Sequence, residues 1–573
     1  MSMKTVTILD GYIDEPACLG VPPYLSPYPR YIAGALFDFD SSLQLHYLTI
    51  DRLRSDESAY QLLTQSELII VVAGTTVPGK YLSGYPASPQ ELTRLLQPLR
   101  KPLKILTGPA ARHGFGMGGG KHTIDSHTLA GAFDITISGD AEIVVNDLLH
   151  NEFKIENVDL SKKRTSAHDI SEYAKLGAQI VQQHPNYPHY LLTEIETYRG
   201  CSRSIMGGCS FCSEPSKGAP DFRPIQDIID EVESLYLQGI RHIRLGSQPC
   251  LFSYQAHGAG KEEIPRPNPQ ALHHLFKGIR DAAPDLVTFH IDNVNPAVVA
   301  RYPEESAKIA QTIITYHSSG DVAAMGVESA DPKVVAANNL KASAEESLEA
   351  IRLLNEYGAV RGDNGLAELL PGINLLFGLL GESKKTFDLD YRFLKQILDE
   401  KLLLRRINIR QVIPIPGTPL ESESIRLIRK HKASFKSFKR KVKEDIERPL
   451  LQRLVPTDTV LKRVYTETYN GNLTYARQLG SYPLLVGIPG KQSLEEFLDC
   501  IVIDHGYRSI TALPYPLHIN TAPKESLEGL PGVGEKRMLR MLAARPYRSA
   551  EEFISSLDDE ELGSSLLKYL SFS

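Results

Sequence analysis

The stretch Arg199-Gly200-Cys201-Ser202-Arg203-Ser204-Ile205-Met206-Gly207-Gly208-Cys209-Ser210-Phe211-Cys212 places three thiols on one loop, with the spacing C-x7-C-x2-C. The chain holds six cysteines, and the others, Cys18, Cys250 and Cys500, are scattered. Such clustering in a long chain reads as metal binding rather than as disulfides. Three thiolates on one loop suit a cuboidal iron–sulfur cluster whose fourth iron is left for a small molecule, whereas zinc usually recruits four ligands. A zinc site completed by a distant His or by Cys250 is the competing reading of the spacing. Glycines at 200, 207 and 208 allow the backbone to wrap closely around an inorganic core.

Working outward, the loop follows the first of six predicted strands. These are Leu191–Glu196, His242–Leu245, Thr288–Ile291, Ala323–Val327, Ile373–Phe377 and Arg406–Val412, with helices such as Ile225–Leu237 and Ala344–Glu356 between them. Repeated strand–helix units over 189–423 predict a partial or complete barrel of parallel strands, and the cysteine loop falls at the C-terminal strand ends, where such barrels place their sites.

Residues 1–150 predict a separate doubly wound α/β domain. Its strands are Lys4–Asp10, Leu43–Ile50, Leu68–Ala73, Leu103–Thr107 and Asp134–Ser138, with helices Pro29–Phe37 and Gln90–Leu99. Its ligand would lie at the strand C-termini, near the loop Cys18–Tyr28. Residues 151–188 read as a polar connector. Residues 424–518 read as a basic helix followed by a small β domain, and residues 519–573 return to helix. The fold class is therefore α/β with a small all-β and a helical appendage.

The chain has 573 residues, 42% of them hydrophobic and 23% charged, with a formal charge of −6. This is ordinary soluble-protein composition and gives no global positive field that would mark a nucleic-acid binder. No apolar run reaches the length of a membrane span, and the N-terminus does not read as a signal peptide, so a cytoplasmic protein with no membrane partner is expected.

The cysteine segment resembles the radical SAM superfamily, whose usual motif is C-x3-C-x-aromatic-C. Phe211 occupies the aromatic position, and the first gap is seven residues rather than three. Further segments follow in the superfamily's order. Gly246-Ser247-Gln248-Pro249 matches the turn that holds the amino group of S-adenosylmethionine (SAM), with Gln248 where an acidic residue is usual. Gly326-Val327-Glu328-Ser329 resembles the strand-four segment near the ribose. Asn374 to Glu382, with Gly378, Gly381 and Glu382, resembles the G-x-x-G-E segment beside the adenine. Arg410–Pro419 resembles the end of the sixth strand. The resemblance implies a 4Fe-4S cluster on Cys201, Cys209 and Cys212, SAM bound by Gly246, Ser247, Gln248, Glu328, Gly378 and Glu382, and reductive cleavage of SAM to a 5′-deoxyadenosyl radical. It also implies an electron donor such as ferredoxin or flavodoxin.

The N-terminal domain resembles the cobalamin-binding domain of one radical SAM class, through Gly20–Leu36 and Gly139-Asp140-Ala141-Glu142; the D-x-H-x-x-G motif is absent. A domain that only packs on the barrel or binds substrate is the alternative. Gly114–Gly120 reads as a loop at the site mouth, or as a weak phosphate cradle. Leu530-Pro531-Gly532-Val533-Gly534 resembles a helix–hairpin–helix, in which backbone N–H groups meet phosphate, and 460–516 faintly resembles the RNA-binding TRAM barrel. The acidic run Asp558–Glu561 argues against a strong nucleic-acid field.

The whole order is similar to a family of archaeal iron–sulfur oxidoreductases. Three readings follow. One is a cobalamin-dependent C-methyltransferase acting on a macromolecule, either a protein such as methyl-coenzyme M reductase or an RNA. A second is an RNA-modifying radical SAM enzyme without cobalamin, such as a methylthiotransferase, against which stands the single cysteine, Cys18, before Cys201. The third is a non-enzymatic zinc adaptor for nucleic acid.

Overall fold

The computed structural model describes residues 4–12, 22–74, 85–116, 119–129 and 131–572. Cys18, Gly20 and part of the Gly114–Gly120 loop lie outside the described residues. The first sheet is wholly parallel, in the order Gln44–Thr49, Thr5–Asp10, Leu68–Val72, Leu103–Thr107, Ile135–Thr136. The order reverses beside Thr5–Asp10, and ligands of such sheets bind at that reversal, beyond the strand C-termini. Leu68–Val72 is buried at every position, which is why its unbroken apolar run carries no alternation. The expected last strand shortens to Ile135–Thr136.

Helix Pro27–Phe39 begins with prolines in its first turn and buries Arg30 to Leu36 without a break. It packs against the segment expected to be a polar connector. There, Ile170, Ala174, Ala178, Ile180 and Val181 are buried on short helical turns spanning Ala167–Ile170, Ser171–Leu176 and Gly177–Gln183. The approach is closed by two glycines. A Cβ at Gly34 would lie 1.9 Å from the Tyr173 carbonyl oxygen, and one at Gly177 would lie 1.8 Å from that of Arg30. The apolar positions here are short and spaced among lysines and glutamines, so composition alone hides the buried face.

All six barrel strands form, parallel and in chain order. Asp292 interrupts the third, so hydrogen bonding divides the arc into Leu192–Glu196, His242–Gly246, Thr288–Ile291 and then Asn293–Val294, Asp321–Glu328, Leu369–Phe377, Arg406–Gln411. The arc stays open. Leu192–Glu196 takes Tyr24–Leu25 as its outer neighbour instead of Arg406–Gln411. An ion network ties the first sheet to the arc: Glu142 meets Arg164 at 2.5 Å, Arg164 also pairs with Glu196, and Asp140 accepts from Arg199 at 2.5 Å.

The basic segment forms helices Ser424–Lys430, Lys432–Val442 and Arg448–Leu454. Its lysines face outward, while Phe435 and Phe438 pack on Phe377. The small β domain is a closed five-stranded barrel, Val460–Asn470, Leu473–Arg477, Leu485–Pro489, Ser509–Pro514, Phe497–His505. Its 479–484 loop plugs the lower end of the arc. Thr288 Oγ1 donates to the Leu479 carbonyl at 3.1 Å, Ser481 N donates to His290 Nδ1 at 3.1 Å, and Tyr482 donates its hydroxyl to Asp292.

The tail holds Lys524–Glu528 and Glu535–Ala543 around a turn with Gly532 at φ 76°, then Ala550–Ser556 and Glu560–Leu566. Arg537 and Arg540 of the first pair are met by Asp558, at 3.1 and 2.9 Å, and Arg537 also by Asp559. Among the described residues, no helix is long and apolar enough to cross a membrane.

Candidate active site

The cysteine loop leaves the first arc strand through a pinch: Tyr198–Arg199 pairs antiparallel with Asp221–Phe222, and Cys201 N donates to the Gly218 carbonyl at 3.0 Å. Gly200 has φ 83°, and a Cβ there would lie 2.3 Å from the Ala219 carbonyl oxygen, so no other residue fits. The seven-residue gap forms a 3-10 turn, Ser202–Met206, that folds back on a single side chain. Asn339 Nδ2 donates to the carbonyls of Met206 and Gly208 at 3.2 and 2.8 Å, while its Oδ1 accepts from Arg203 at 3.0 Å. The neighbouring Asn338 accepts from Ser210 Oγ at 2.8 Å and from Leu380 N at 3.1 Å, joining the loop to the turn after the fifth strand. Leu420 N donates to the Ser210 carbonyl at 3.1 Å, which brings in the sequence after the sixth strand.

Burial pushes all three thiols up, Cys212 to about 12, and the Lys341 ammonium works against burial at each of them. Arg203 Nη1 donates to Cys209 Sγ at 3.0 Å and Glu214 N to Cys212 Sγ at 3.4 Å. Donors aimed at sulfur and a nearby ammonium are what thiolates on an iron–sulfur cluster require. Among the described residues, no group of three or more His, Cys, Asp or Glu is gathered closely enough to hold a metal ion, the three cysteines included. Cys250, the candidate fourth ligand, is buried with its sulfur accepting from Asn295 N at 3.1 Å, and it packs in the main core. The donor set fits a three-cysteine cluster.

The SAM-binding candidates lie on the turns above the arc. Gly246 makes room for Glu194, whose Oε1 would be 2.0 Å from a Cβ. Ser247 takes a left-handed φ of 56°. Gln248 is buried, with Nε2 donating to the Leu245 carbonyl at 3.2 Å and Oε1 without a protein partner. That bare acceptor suits a ligand ammonium where other members carry an acid. Glu328 sits at a strand irregularity with φ 64°, beside Lys341, and burial pushes its carboxyl up to about 7. Glu382 accepts from Gly378 N at 2.6 Å, so its carboxylate clamps its own turn; burial raises it to about 7. Gly378, at φ 93°, lies against Ile428. Of the candidates, Glu328 is electrostatically coupled to Cys209, and Lys341 links the two. Gly120 of the glycine-rich loop donates to the Val412 carbonyl at 2.9 Å, so this end of the loop docks on the sixth strand.

A cavity of about 930 Å³ opens inside the arc, and its lining includes none of the three cysteines or the SAM-binding candidates. It joins the strand ends Asp10, Tyr12, Val72 and Gly74 of the first sheet to the inner face of the sixth arc strand, and Tyr482 closes its floor. Arg406, Asn408 and Arg410 alternate with the buried Ile407 and Ile409. Lys341, Arg203, Asn339 and the arginines were not singled out from sequence by any motif; the alternation Arg-Ile-Asn-Ile-Arg was the available signal for the strand.

Residues 195–394 match the family model described as the Radical SAM superfamily. The chain belongs to the radical SAM superfamily. It is 48% identical over 515 residues to the uncharacterized protein MJ0274 of Methanocaldococcus jannaschii, covering 89% of this chain and 93% of that one. It is 43% identical over 546 residues to an uncharacterized protein of Archaeoglobus fulgidus, covering 95% and 96%. The radical SAM methyltransferase TsrM of Kitasatospora setae, solved with tryptophan and a SAM analogue, aligns over 73% of this chain and 75% of its own, with TM-score 0.45 and 14% identity. A radical SAM domain implies a 4Fe-4S cluster and SAM.

Proposed function

We propose that this radical SAM enzyme methylates an unactivated carbon, with cobalamin held at the strand ends of the doubly wound sheet. The observation that carries the reading is the single cavity shared by those strand ends and the arc interior. A cofactor at the sheet's reversal point and a substrate in the arc would then face each other without crossing solvent. When bound, the cluster with SAM supplies the radical that breaks a C–H bond, and cobalamin supplies the methyl group.

The chain's own residues do the rest. Arg203 and the Glu214 N–H hold charge on sulfur, and Lys341 balances Glu328 beside it. Gln248 Oε1 offers the acceptor for the ammonium of SAM. Phe435, Leu450, Leu451 and Leu454 form an apolar wall that excludes water, and Tyr482 seals the floor.

The test is anaerobic reconstitution with iron, sulfide and cobalamin, followed by reduction in the presence of SAM. The reading expects retained cobalamin and the release of both 5′-deoxyadenosine and S-adenosylhomocysteine once a substrate is supplied. Formation of 5′-deoxyadenosine by a protein that retains no cobalamin removes methyl transfer and leaves radical SAM chemistry.

A further inference from the structure

The cavity lining is unevenly charged. Arg244, Arg405, Arg406, Arg410, Lys439, Lys443 and Arg508 line it, against only Asp10, Asp292 and Glu447 among the described residues. Two of the cations are neutralised within the fold: Arg508 pairs with Glu447, and Arg244 meets Glu194 at 2.9 Å. Arg405 and Arg406 are not. Arg405 donates to the Tyr482 carbonyl at 2.9 Å. Arg406 donates to Asn374 Oδ1 at 3.3 Å and lies 3.7 Å over the Tyr482 ring. Their partners are neutral. Burial lowers the pKa of both, that of Arg405 to about 10, and each feels a neighbouring guanidinium. Among the described residues, neither makes an ion pair. Asp292 acts on Arg406 but is also held by Arg244, so the two adjacent guanidiniums keep an excess of positive charge away from bulk water, which is costly unless something anionic joins them.

The lane has a direction. Arg406, Asn408 and Arg410 share one strand face, so Arg406 and Arg410 stand about 13 Å apart. Arg410 stands at the C-terminal end of its strand, and the cysteine loop leaves the C-terminal end of the first strand of the same parallel arc, so the Arg410 end faces the cysteine loop. Lys439 and Lys443, one helical turn apart and exposed, line the entrance.

We infer that the chamber takes an elongated ligand whose far end carries at least two negative charges, as phosphate or paired carboxylates, gripped by Arg405 and Arg406 while its reacting end lies beyond Arg410. Placing the reacting end there rests on the proposed function; anion binding at Arg405 and Arg406 does not. Planar guanidinium forks suit either oxyanion, and gripping a substrate by its remote end fixes the position of the carbon that reacts.

The test is calorimetric titration of the reconstituted, cobalamin- and SAM-loaded protein with inorganic phosphate and, separately, tricarballylate, in low-salt buffer. The inference expects one probe to bind with Kd below about 1 mM, the preferred probe telling phosphate from carboxylate. Arg406→Gln should weaken it about tenfold and Arg406→Lys should recover part of the loss. Lys439→Gln with Lys443→Gln, at exposed positions, should weaken it a few-fold without threatening the fold. The inference is overturned if neither probe binds, if Arg405→Gln and Arg406→Gln bind as the parent does, or if the probe displaces cobalamin. Probe binding by a protein that retains no cobalamin would leave the anion site standing and remove the methyl-transfer reading.

Discussion

Tyr482 donates its hydroxyl to Asp292, the residue that interrupts the third arc strand, and so a loop of the C-terminal barrel completes the floor of the radical SAM chamber. Burial raises the Asp292 carboxyl while the Tyr482 bond and Arg244 hold it down. Tyr482→Phe removes that bond and leaves a buried carboxylate short of a donor. The expected loss is about 1–3 kcal/mol, read from urea unfolding of the parent and the variant. Equal midpoints would show that the contact does not seal the floor.

Asn339 is the clasp of the long cysteine gap. Asn339→Ala frees the Met206 and Gly208 carbonyls and one nitrogen of Arg203. Iron retained after desalting of the reconstituted protein should fall several-fold, whereas Cys250→Ala, whose thiol is tied to Asn295, should hold its iron. An iron-depleted Cys250→Ala protein would reopen the zinc-like reading with Cys250 as a ligand.

Asp390 is buried, with Oδ1 accepting from Ala330 N at 2.6 Å and from Ser329 at 3.0 Å, while Oδ2 has no partner. Burial pushes its carboxyl from 3.8 up to about 7, above the unfolded chain, so folding takes up a proton there. That stabilising contribution is complete below pH 3.8 and is lost as pH rises through about 7. Asp390→Asn keeps the acceptor and removes the charge. Its melting temperature should exceed the parent's near pH 8 and converge with it only toward pH 4, the loss in the parent at pH 8 being on the order of 2–4 kcal/mol. Parallel pH profiles would count against a raised Asp390.

Gly34 and Gly177 let helix Pro27–Phe39 touch the 167–183 turns backbone to backbone. Alanine at either position drives a methyl into a carbonyl that cannot move aside. Each variant should lose about 3 kcal/mol or more, seen as a drop in soluble yield and thermal midpoint. A fully stable Gly177→Ala would mean that the 167–183 turns can slide off the helix.

The strands of the first sheet and of the arc could be read from sequence because their signals are local. Leu68–Val72 is an unbroken apolar run, and five of the six arc strands, all but Thr288–Ile291, end in a segment that carries a recognisable motif. The three cysteines were legible for the same reason. The chamber was not, because Asp10, Arg244, Arg406 and Tyr482 reach it from four separate parts of the chain. Lys341 follows the exposed-looking turn Asn338–Leu340 and carries no pattern of its own. The segment 151–188 misled because Ile170, Ala174 and Ala178 are few among polar neighbours, yet their spacing buries one continuous face. Glu382 sits where the motif places it, but its carboxylate is spent on the Gly378 N–H, a local bond that a motif cannot distinguish from a ligand contact.

The 479–484 plug also sets an order of manufacture. The ribosome releases all six arc strands before Ser481 and Tyr482 exist, so the nascent chain passes through a stage in which the cysteine loop is complete while the chamber is still open to solvent on the side that the plug later covers. In that interval the side later covered by Ser481 and Tyr482 admits cofactors; once the last barrel folds, that side is closed by the plug, and Lys439 and Lys443 line the cavity at exposed positions.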